Sequence, residues 1–439
     1  MLKKSDYRKR RQQLMAQLGP NSLAILPAAT EQLRSRDTYY RFRQDSDLSY
    51  LTGFPEPQAL AVLAPGRQAG EYLLFCRERD RTQEIWDGSR QGIAGAIANF
   101  AADDAFPIDS LDDILPGLIE GRERLYFSMG KHADFAQRLT GWLGQIRAQV
   151  RRGAAPPGEI VNLEPLLAEM RLFKTAAEIA LLRRAAKISA EAHCRAMRRC
   201  RPGLYEYQLQ ADIEHHFADC GAAAPAYNSI VGAGPRACVL HYIDNDARIA
   251  DGDLVLIDAG CEYQGYAADI TRTFPANGRF SGEQRALYQI VLAAQQAAIE
   301  ICRPGRRYDE PHLASVWVIT QGLRDLGLLA GDIDGLIEQG AYKDFFMHST
   351  GHWLGLDVHD AGDYKLDGAD SPWRDLEPGM VTTIEPGIYV QPDNQQVAAR
   401  WRGIGIRIED DVLITAKGPQ VLTSGVPKDP AEIEALMRA

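Results

Sequence analysis

DLVLIDAGCEYQGYAADITRTF, residues 253–274, reads as two β-strands joined by a tight turn near Tyr263 and Gln264, with one aspartate in each strand. In the register that this turn implies, Asp258 faces Asp269 directly, with Cβ atoms about 4.5–5.5 Å apart on one face of the ribbon. Two carboxylates held that closely repel unless a cation lies between them, and a pair of ions about 3.5–4 Å apart fits there. The flanking LVLI run marks a buried strand rather than a solvated hairpin. An ionised acid in such surroundings is costly unless it is paired or binds a metal.

Outward from this hairpin, three further segments carry the same signature. MVTTIEPGIYV (380–390) and RGIGIRIEDDVLIT (402–415) each place a carboxylate, Glu385 and Glu409, inside a β-branched run. In the second, Ile404, Ile406 and Ile408 alternate with Arg407 and Glu409, which puts the guanidinium and the carboxylate on one face and makes Arg407 a candidate for orienting a metal-bound acid. The same alternation puts Asp410 on the apolar side, unless a bulge intervenes. FFMHSTGHWLGLDVHD (345–360) holds three of the nine histidines. His348 and His352 are four apart, but no Glu follows His348 and Gly351 weakens a helix, so a zincin motif fails. With oxygen donors dominating, His352 is expected as the single nitrogen ligand, His241 and His359 as groups around substrate, and His348 as a supporting or structural hydrogen bonder. Four carboxylates, about −4 in charge, match two divalent ions. His215 and His216 lie on a polar, helical stretch and are expected to face solvent.

Five ordered blocks, LHYIDN (240–245), LVLIDAGCEYQGYAADITRTFP (254–275), FFMHSTGHWLGLDVHD, VTTIEPGIY (381–389) and GIGIRIEDD (403–411), closely resemble those of the aminopeptidase P family, Xaa-Pro aminopeptidases of the bacterial long form. The resemblance spans nearly the whole chain. It implies an α/β N-terminal domain of the creatinase/prolidase kind and an α+β pita-bread catalytic domain. It further implies that Asp258 and Asp269 bind metal, that His352 and Glu385 share one ion, that Glu409 bridges, and that His241 and His359 are catalytic-shell histidines. Ser349 departs from the pattern, since many relatives carry glycine there. The blocks RSRDTYYRFRQDSDLSYLTGF (34–54) and EIWDGSRQG (84–92) match the domain that narrows the site in this family, often from a neighbouring subunit. Within them, Asp37 is a candidate partner for a substrate ammonium and Trp86 a candidate pocket wall.

Composition agrees with these expectations. The chain has 439 residues, 45% of them hydrophobic and 25% charged, which is enough for two cores in a soluble protein. Its net charge of −10 implies no broad basic surface for nucleic acid or anionic membrane. The seven cysteines are scattered without a CxxC and read as reduced thiols of a cytoplasmic protein, Cys261 packing rather than ligating. The charged start MLKKSDYRKRRQQL does not read as a signal peptide, and no apolar run is expected to span a bilayer. Up to about residue 170, SLAILPAA, ALAVLAPG, EYLLFCRE and RLYFSMG read as strands and DFAQRLTGWLGQIRAQV as a helix. Thr175 and Glu178 form a capping box ahead of a long helix ending near Arg201, Pro202 and Gly203, so the domains are placed at 1–172 and 173–439.

The expected chemistry is attack on a peptide carbonyl by a hydroxide bridging two metal ions, with Glu385 passing the water's proton and His241 and His359 holding the carbonyl. One imidazole among hard carboxylates suits manganese, with zinc or cobalt as substitutes. The resemblance supplies the substrate, an N-terminal residue preceding proline, and suggests a homotetramer. A prolidase restricted to dipeptides is the nearer alternative, and a metal-free peptide-binding module, which would be expected to lose ligands, the more distant one.

Overall fold

The computed structural model describes residues 2–366 and 368–439. The chain divides into two compact units, Leu2–Met170 and Arg171–Ala439, the latter grouped with Met1, whose structure is not described. The sequence expectation puts the boundary at 172.

In the first unit, the apolar runs become a six-stranded mixed sheet in the order Asp104–Pro107, Tyr72–Cys76, Leu60–Leu63, Ser22–Pro27, Arg124–Tyr126, Glu159–Val161. Strand Ser22–Pro27 runs antiparallel to Leu60–Leu63 and parallel to Arg124–Tyr126. Its two central strands are buried at every position, as their unbroken apolar sequences require. Leu111, Leu115 and Ile119 of one helix and Leu139, Trp142 and Ile146 of another cover the sheet.

The second unit begins with the long helix Ala176–Arg199, where Thr175 Oγ1 accepts from the Glu178 amide and Glu178 reciprocates at the Thr175 amide. This reciprocal cap satisfies two otherwise orphaned donors. The helix backs the aspartate hairpin: the Cys261 amide donates to Ser189 Oγ, and His193 Nε2 donates to the Ala259 carbonyl. Cys261 is packed there, and all seven cysteines are unpaired thiols. Helix Glu206–Asp219 follows. Its His215 is exposed, but His216 is buried against the long helix, because adjacent positions on a helix point about 100° apart. Helices Gly282–Ile301, Glu310–Asp325 and Ile333–Glu338 follow the hairpin. Among the described residues, no helix is long and apolar enough to cross a membrane.

Burial lowers the His193 imidazole to about 4, and its Nδ1 has no hydrogen-bond partner. A folded-state value below the unfolded 6.5 means that the unfolded chain binds the extra proton first, so stability is full above about pH 6.5 and falls toward pH 4. Between pH 7 and pH 5 this one group should cost about 2 kcal/mol. Denaturant unfolding of His193→Gln at both pH values should lose that much less stability than the parent; equal losses would refute the assignment.

Two antiparallel ribbons form the floor of the second unit. In the first, Leu254–Asp258 pairs with Thr271–Pro275, and the chain between them turns at Gln264 and Gly265, both with positive φ (52° and 86°). That turn is one residue later than the sequence suggested. Asp258 therefore pairs with Thr271, and Asp269 falls opposite Gly260, a correction of the direct facing expected from the turn. A Cβ on Gly260 would lie 1.7 Å from the Ala268 carbonyl oxygen, so only glycine admits this close approach beside Asp269. In the second ribbon, Val381–Ile384 pairs with Asp410–Thr415, and Gly387–Val390 pairs with Ile404–Arg407. One register runs through both, Ile384 opposite Asp410 and Gly387 opposite Arg407. The ladder is interrupted at Glu385–Pro386 and Ile408–Glu409 without an inserted residue. No bulge is present there, and Glu385 stands opposite Glu409.

Candidate metal centre

The two ribbon interruptions and the loop 345–360 converge on a cleft of about 810 Å³, lined by Asp258, Asp269, His352, Glu385, Glu409, Arg407, His241, His348 and His359 among others. The loop is held by its glycine. A Cβ on Gly351 would sit 2.0 Å from the Thr383 carbonyl oxygen, so this backbone lies against strand Val381–Ile384, and the Thr383 amide donates to the His352 carbonyl.

Asp258, Asp269 and Glu409 are buried, Glu409 to 1% exposure, and Glu385 is partly buried. Tyr227 Oη is 2.6 Å from Asp258 Oδ1 and 2.5 Å from Asp269 Oδ1, so the acids meet although they are not cross-strand partners. His352 Nδ1 donates to the Trp353 carbonyl at 3.0 Å, which turns Nε2 toward Asp269 Oδ2 (3.4 Å) and Glu385 Oε1 (3.5 Å). With Nδ1 committed to that carbonyl, Nε2 is the nitrogen that a metal would take in exchange for its proton. Donor atoms of Asp269, His352 and Glu409 all lie within 4.8 Å of one another. Burial raises Asp258, pushes Glu385 up to about 7 and raises Glu409 well above the usual carboxylate range, with the neighbouring acids adding to the effect. Against burial, the Asp269 hydrogen bond and the Glu385 charge bring His352 up to about 9. Despite its burial, the hydrogen bond to His352 holds Asp269 below the usual carboxylate range, so three of the four acids resist ionisation and the cluster is short of positive charge. Oxygen donors with one correctly oriented imidazole fit divalent cations.

Arg407 is the guanidinium touching this cluster. Its Nη2 donates to Asp258 Oδ2 at 2.7 Å and its Nε to Thr271 Oγ1 at 3.2 Å, while Thr271 donates on to Glu409 Oε2 at 2.7 Å. The face shared with Glu409, expected from strand alternation, is thus used through a threonine, and the carboxylate oriented directly is Asp258. Arg407 Nη1 also donates to Tyr389 Oη (3.0 Å), Tyr389 donates to His348 Nε2 (2.9 Å), and His348 Nδ1 donates to the Ser349 carbonyl (2.8 Å). His348 anchors that relay, and burial drops its imidazole to about 3. His359 lies edge-on to His352, with ring centroids 4.3 Å apart, and His241 lines the same cleft. Asp37 and Trp86 belong to the first unit, Asp37 beside the short ribbon Leu33–Ser35/Thr38–Tyr39 and Trp86 on helix Arg81–Asp87, 81% exposed.

Four groups of the site are not singled out by the sequence reading: Tyr227, Thr271, Tyr389 and Asp411, whose carboxylate accepts from the Asp269 amide at 3.3 Å. Asp411 was visible only as the third of a run of acids. Asp410 does lie on the apolar side, where Arg272 Nη2 (2.7 Å) and Lys428 Nζ (2.6 Å) neutralise it.

A model of metallopeptidase family M24 matches residues 180–416, and one of the aminopeptidase P N-terminal domain matches residues 7–126. The chain belongs to metallopeptidase family M24. This M24 chain is 46% identical over 439 residues to the Xaa-Pro aminopeptidase of Escherichia coli (strain K12), covering 100% of this chain and 98% of that protein. Among solved structures, it resembles the aminopeptidase PepP of Pseudomonas aeruginosa at 59% identity and a TM-score of 0.98, over 100% of this chain and 98% of that one. A zinc-substituted Escherichia coli aminopeptidase P in complex with product matches at 46% identity and a TM-score of 0.96, with the same coverage. The M24 assignment makes the protein a metal-dependent hydrolase with a divalent metal cofactor, its pita-bread domain preceded by an N-terminal domain of the aminopeptidase P type.

Proposed function

We propose that this chain is an Xaa-Pro aminopeptidase, releasing the first residue of peptides whose second residue is proline, with two manganese ions held by Asp258, Asp269, His352, Glu385 and Glu409. The observation that carries the reading is the meeting of these five side chains in one cleft, in a chain similar over its full length to Xaa-Pro aminopeptidases. In this reading Asp258, Asp269, His352, Glu385 and Glu409 would together hold the metal, carboxylate oxygens supplying most of the donors and His352 the one nitrogen. Divalent ions held there would supply Lewis acidity and lower the pKa of a bound water.

The protein's own groups do the rest. Glu385 accepts the attacking water's proton and returns it to the leaving proline nitrogen, and His241 and His359 donate hydrogen bonds to the carbonyl oxygen as negative charge develops. Arg407, fixed by Tyr389 and His348, holds Asp258 in position. A tertiary Xaa-Pro amide with a fixed φ requires a shaped cleft rather than an extended-strand groove. For the N-terminal domain we propose that Trp86 lines the substrate pocket and Asp37 meets the substrate ammonium, in a cytoplasmic homotetramer.

The test compares a Gly-Pro dipeptide with a longer peptide beginning Gly-Pro, on enzyme stripped by chelator and reloaded with manganese, zinc or cobalt. Release of glycine from the longer peptide, its loss on stripping and about two manganese ions per chain on reloading are expected. Cleavage confined to the dipeptide would make the protein a prolidase, and cleavage indifferent to chelator would reject the metal mechanism.

A further inference from the structure

Away from the cleft, helix Glu206–Asp219 and the long helix Ala176–Arg199 bring three donors of different chemistry together. His216 and Cys220 are four residues apart at the end of the first helix, and Glu191 reaches them from the second. His216 Nε2 lies 3.5 Å from Cys220 Sγ and 3.5 Å from Glu191 Oε2, and the donor atoms of all three residues fall within 4.8 Å of one another. Zinc bonds of about 2.3 Å to sulfur and about 2.0–2.1 Å to nitrogen and oxygen, at tetrahedral angles, require S···N and N···O edges of about 3.6 and 3.3 Å. The observed S···N and N···O distances, both 3.5 Å, lie close to these, and the Cys220 and Glu191 donors are within 4.8 Å of each other.

We propose that Glu191, His216 and Cys220 form a second, sulfur-containing metal site for a zinc-class divalent ion, separate from the carboxylate centre. The donor set separates the two by hardness. A thiolate with an imidazole prefers zinc or cobalt, whereas the oxygen-rich cleft suits manganese. Glu191 is 47% exposed, so the ion enters from solvent and water fills its fourth position.

The surrounding charges allow it. Arg195 Nη1 stands 3.3 Å from His216 Nδ1, while its Nη2 and Arg199 Nη1 both meet Asp212 Oδ1, at 3.4 and 3.1 Å. Binding at Nε2 requires the tautomer with hydrogen on Nδ1, so Arg195 gives up that contact and keeps Asp212. Lys187 approaches the other oxygen of Glu191 only to 3.9 Å, a solvated pair that a metal displaces at little cost. Cys220 loses its proton to buffer as the Cys–metal bond forms, which makes binding weaken as pH falls. The bound ion would tie the two helices at the point where the chain leaves for Tyr227, seven residues beyond Cys220.

Titration of the manganese-loaded full-length enzyme with Co²⁺ tests this. A thiolate-to-cobalt charge-transfer band reports a sulfur ligand, and cobalt entering the carboxylate centre produces none because its donors are oxygen and nitrogen. The band should saturate at one equivalent and vanish in Cys220→Ser, with peptidase activity on manganese retained. In the parent, stoichiometric Zn²⁺ should protect Cys220 from alkylation, and Glu191→Gln should weaken that protection. Absence of the band, its persistence in Cys220→Ser, or alkylation of Cys220 indifferent to zinc would overturn the proposal.

Discussion

Asp269→Asn should reduce kcat for Xaa-Pro hydrolysis by about a thousandfold or more, with excess manganese failing to restore it. The substitution keeps volume and one carbonyl oxygen but removes the charge at the crowded centre of the cluster. That position contacts Tyr227 (2.5 Å) and His352 (3.4 Å), and its backbone amide is already committed to Asp411. A lost ligand forfeits several kcal/mol of stabilisation of charge on the attacked carbonyl, and about 4 kcal/mol corresponds to that factor. Metal content distinguishes this from misfolding. The variant should unfold at a denaturant concentration close to the parent's in metal-free buffer while holding fewer ions after loading. Near-parental kcat with full metal content would remove Asp269 from the metal centre and undo the proposed ligand set.

The acids were legible because each sits where an apolar strand has no other reason to carry one, and that argument needs only the sequence around it. Their mutual geometry was less so. Moving the turn by one residue, from Tyr263–Gln264 to Gln264–Gly265, shifts every pairing in the hairpin by two. The positive φ values at Gln264 and Gly265 make the later turn the favourable one, since glycine carries the second left-handed position at no steric cost. Asp258 and Asp269 still meet, because the Gly260 close approach and the Tyr227 hydroxyl gather them diagonally. Strand alternation correctly placed Arg407 and Asp410 on opposite faces, yet it could not reveal that Thr271, from the other ribbon, carries the link to Glu409. Tyr227 and Tyr389 escaped notice for a related reason. A tyrosine in a loop or an apolar strand reads as packing, and only three-dimensional proximity reveals what its hydroxyl touches. His216 was misread as solvent-facing because a polar helix hides which of two adjacent residues turns inward.

Asp410→Ala should destabilise the catalytic unit by about 3–5 kcal/mol, the cost of leaving a buried charge without its partner. Both Asp410 and Arg272 have 0% side-chain exposure, and their contact is 2.7 Å. Asp410 also accepts from Thr423 Oγ1 (2.7 Å), Gln295 Nε2 (2.9 Å) and Lys428 Nζ (2.6 Å), so helix Gly282–Ile301 and the segment 423–428 are tied to strand Asp410–Thr415 at this one carboxylate. Burial alone would raise its pKa, but Arg272 and Lys428 outweigh burial and hold it below the usual carboxylate range. With the folded value depressed, the stabilisation is full above the unfolded value near 3.9 and is lost only as pH falls through the folded one, so the network persists in mild acid. Denaturant unfolding at pH 7 should show the loss. The double variant Asp410→Leu/Arg272→Met should recover much of it, because replacing both charges leaves nothing unpaired. If Asp410→Ala costs less than about 1 kcal/mol, or the double variant is as unstable as the single, the pair does not hold this strand beside Glu409 in the way described.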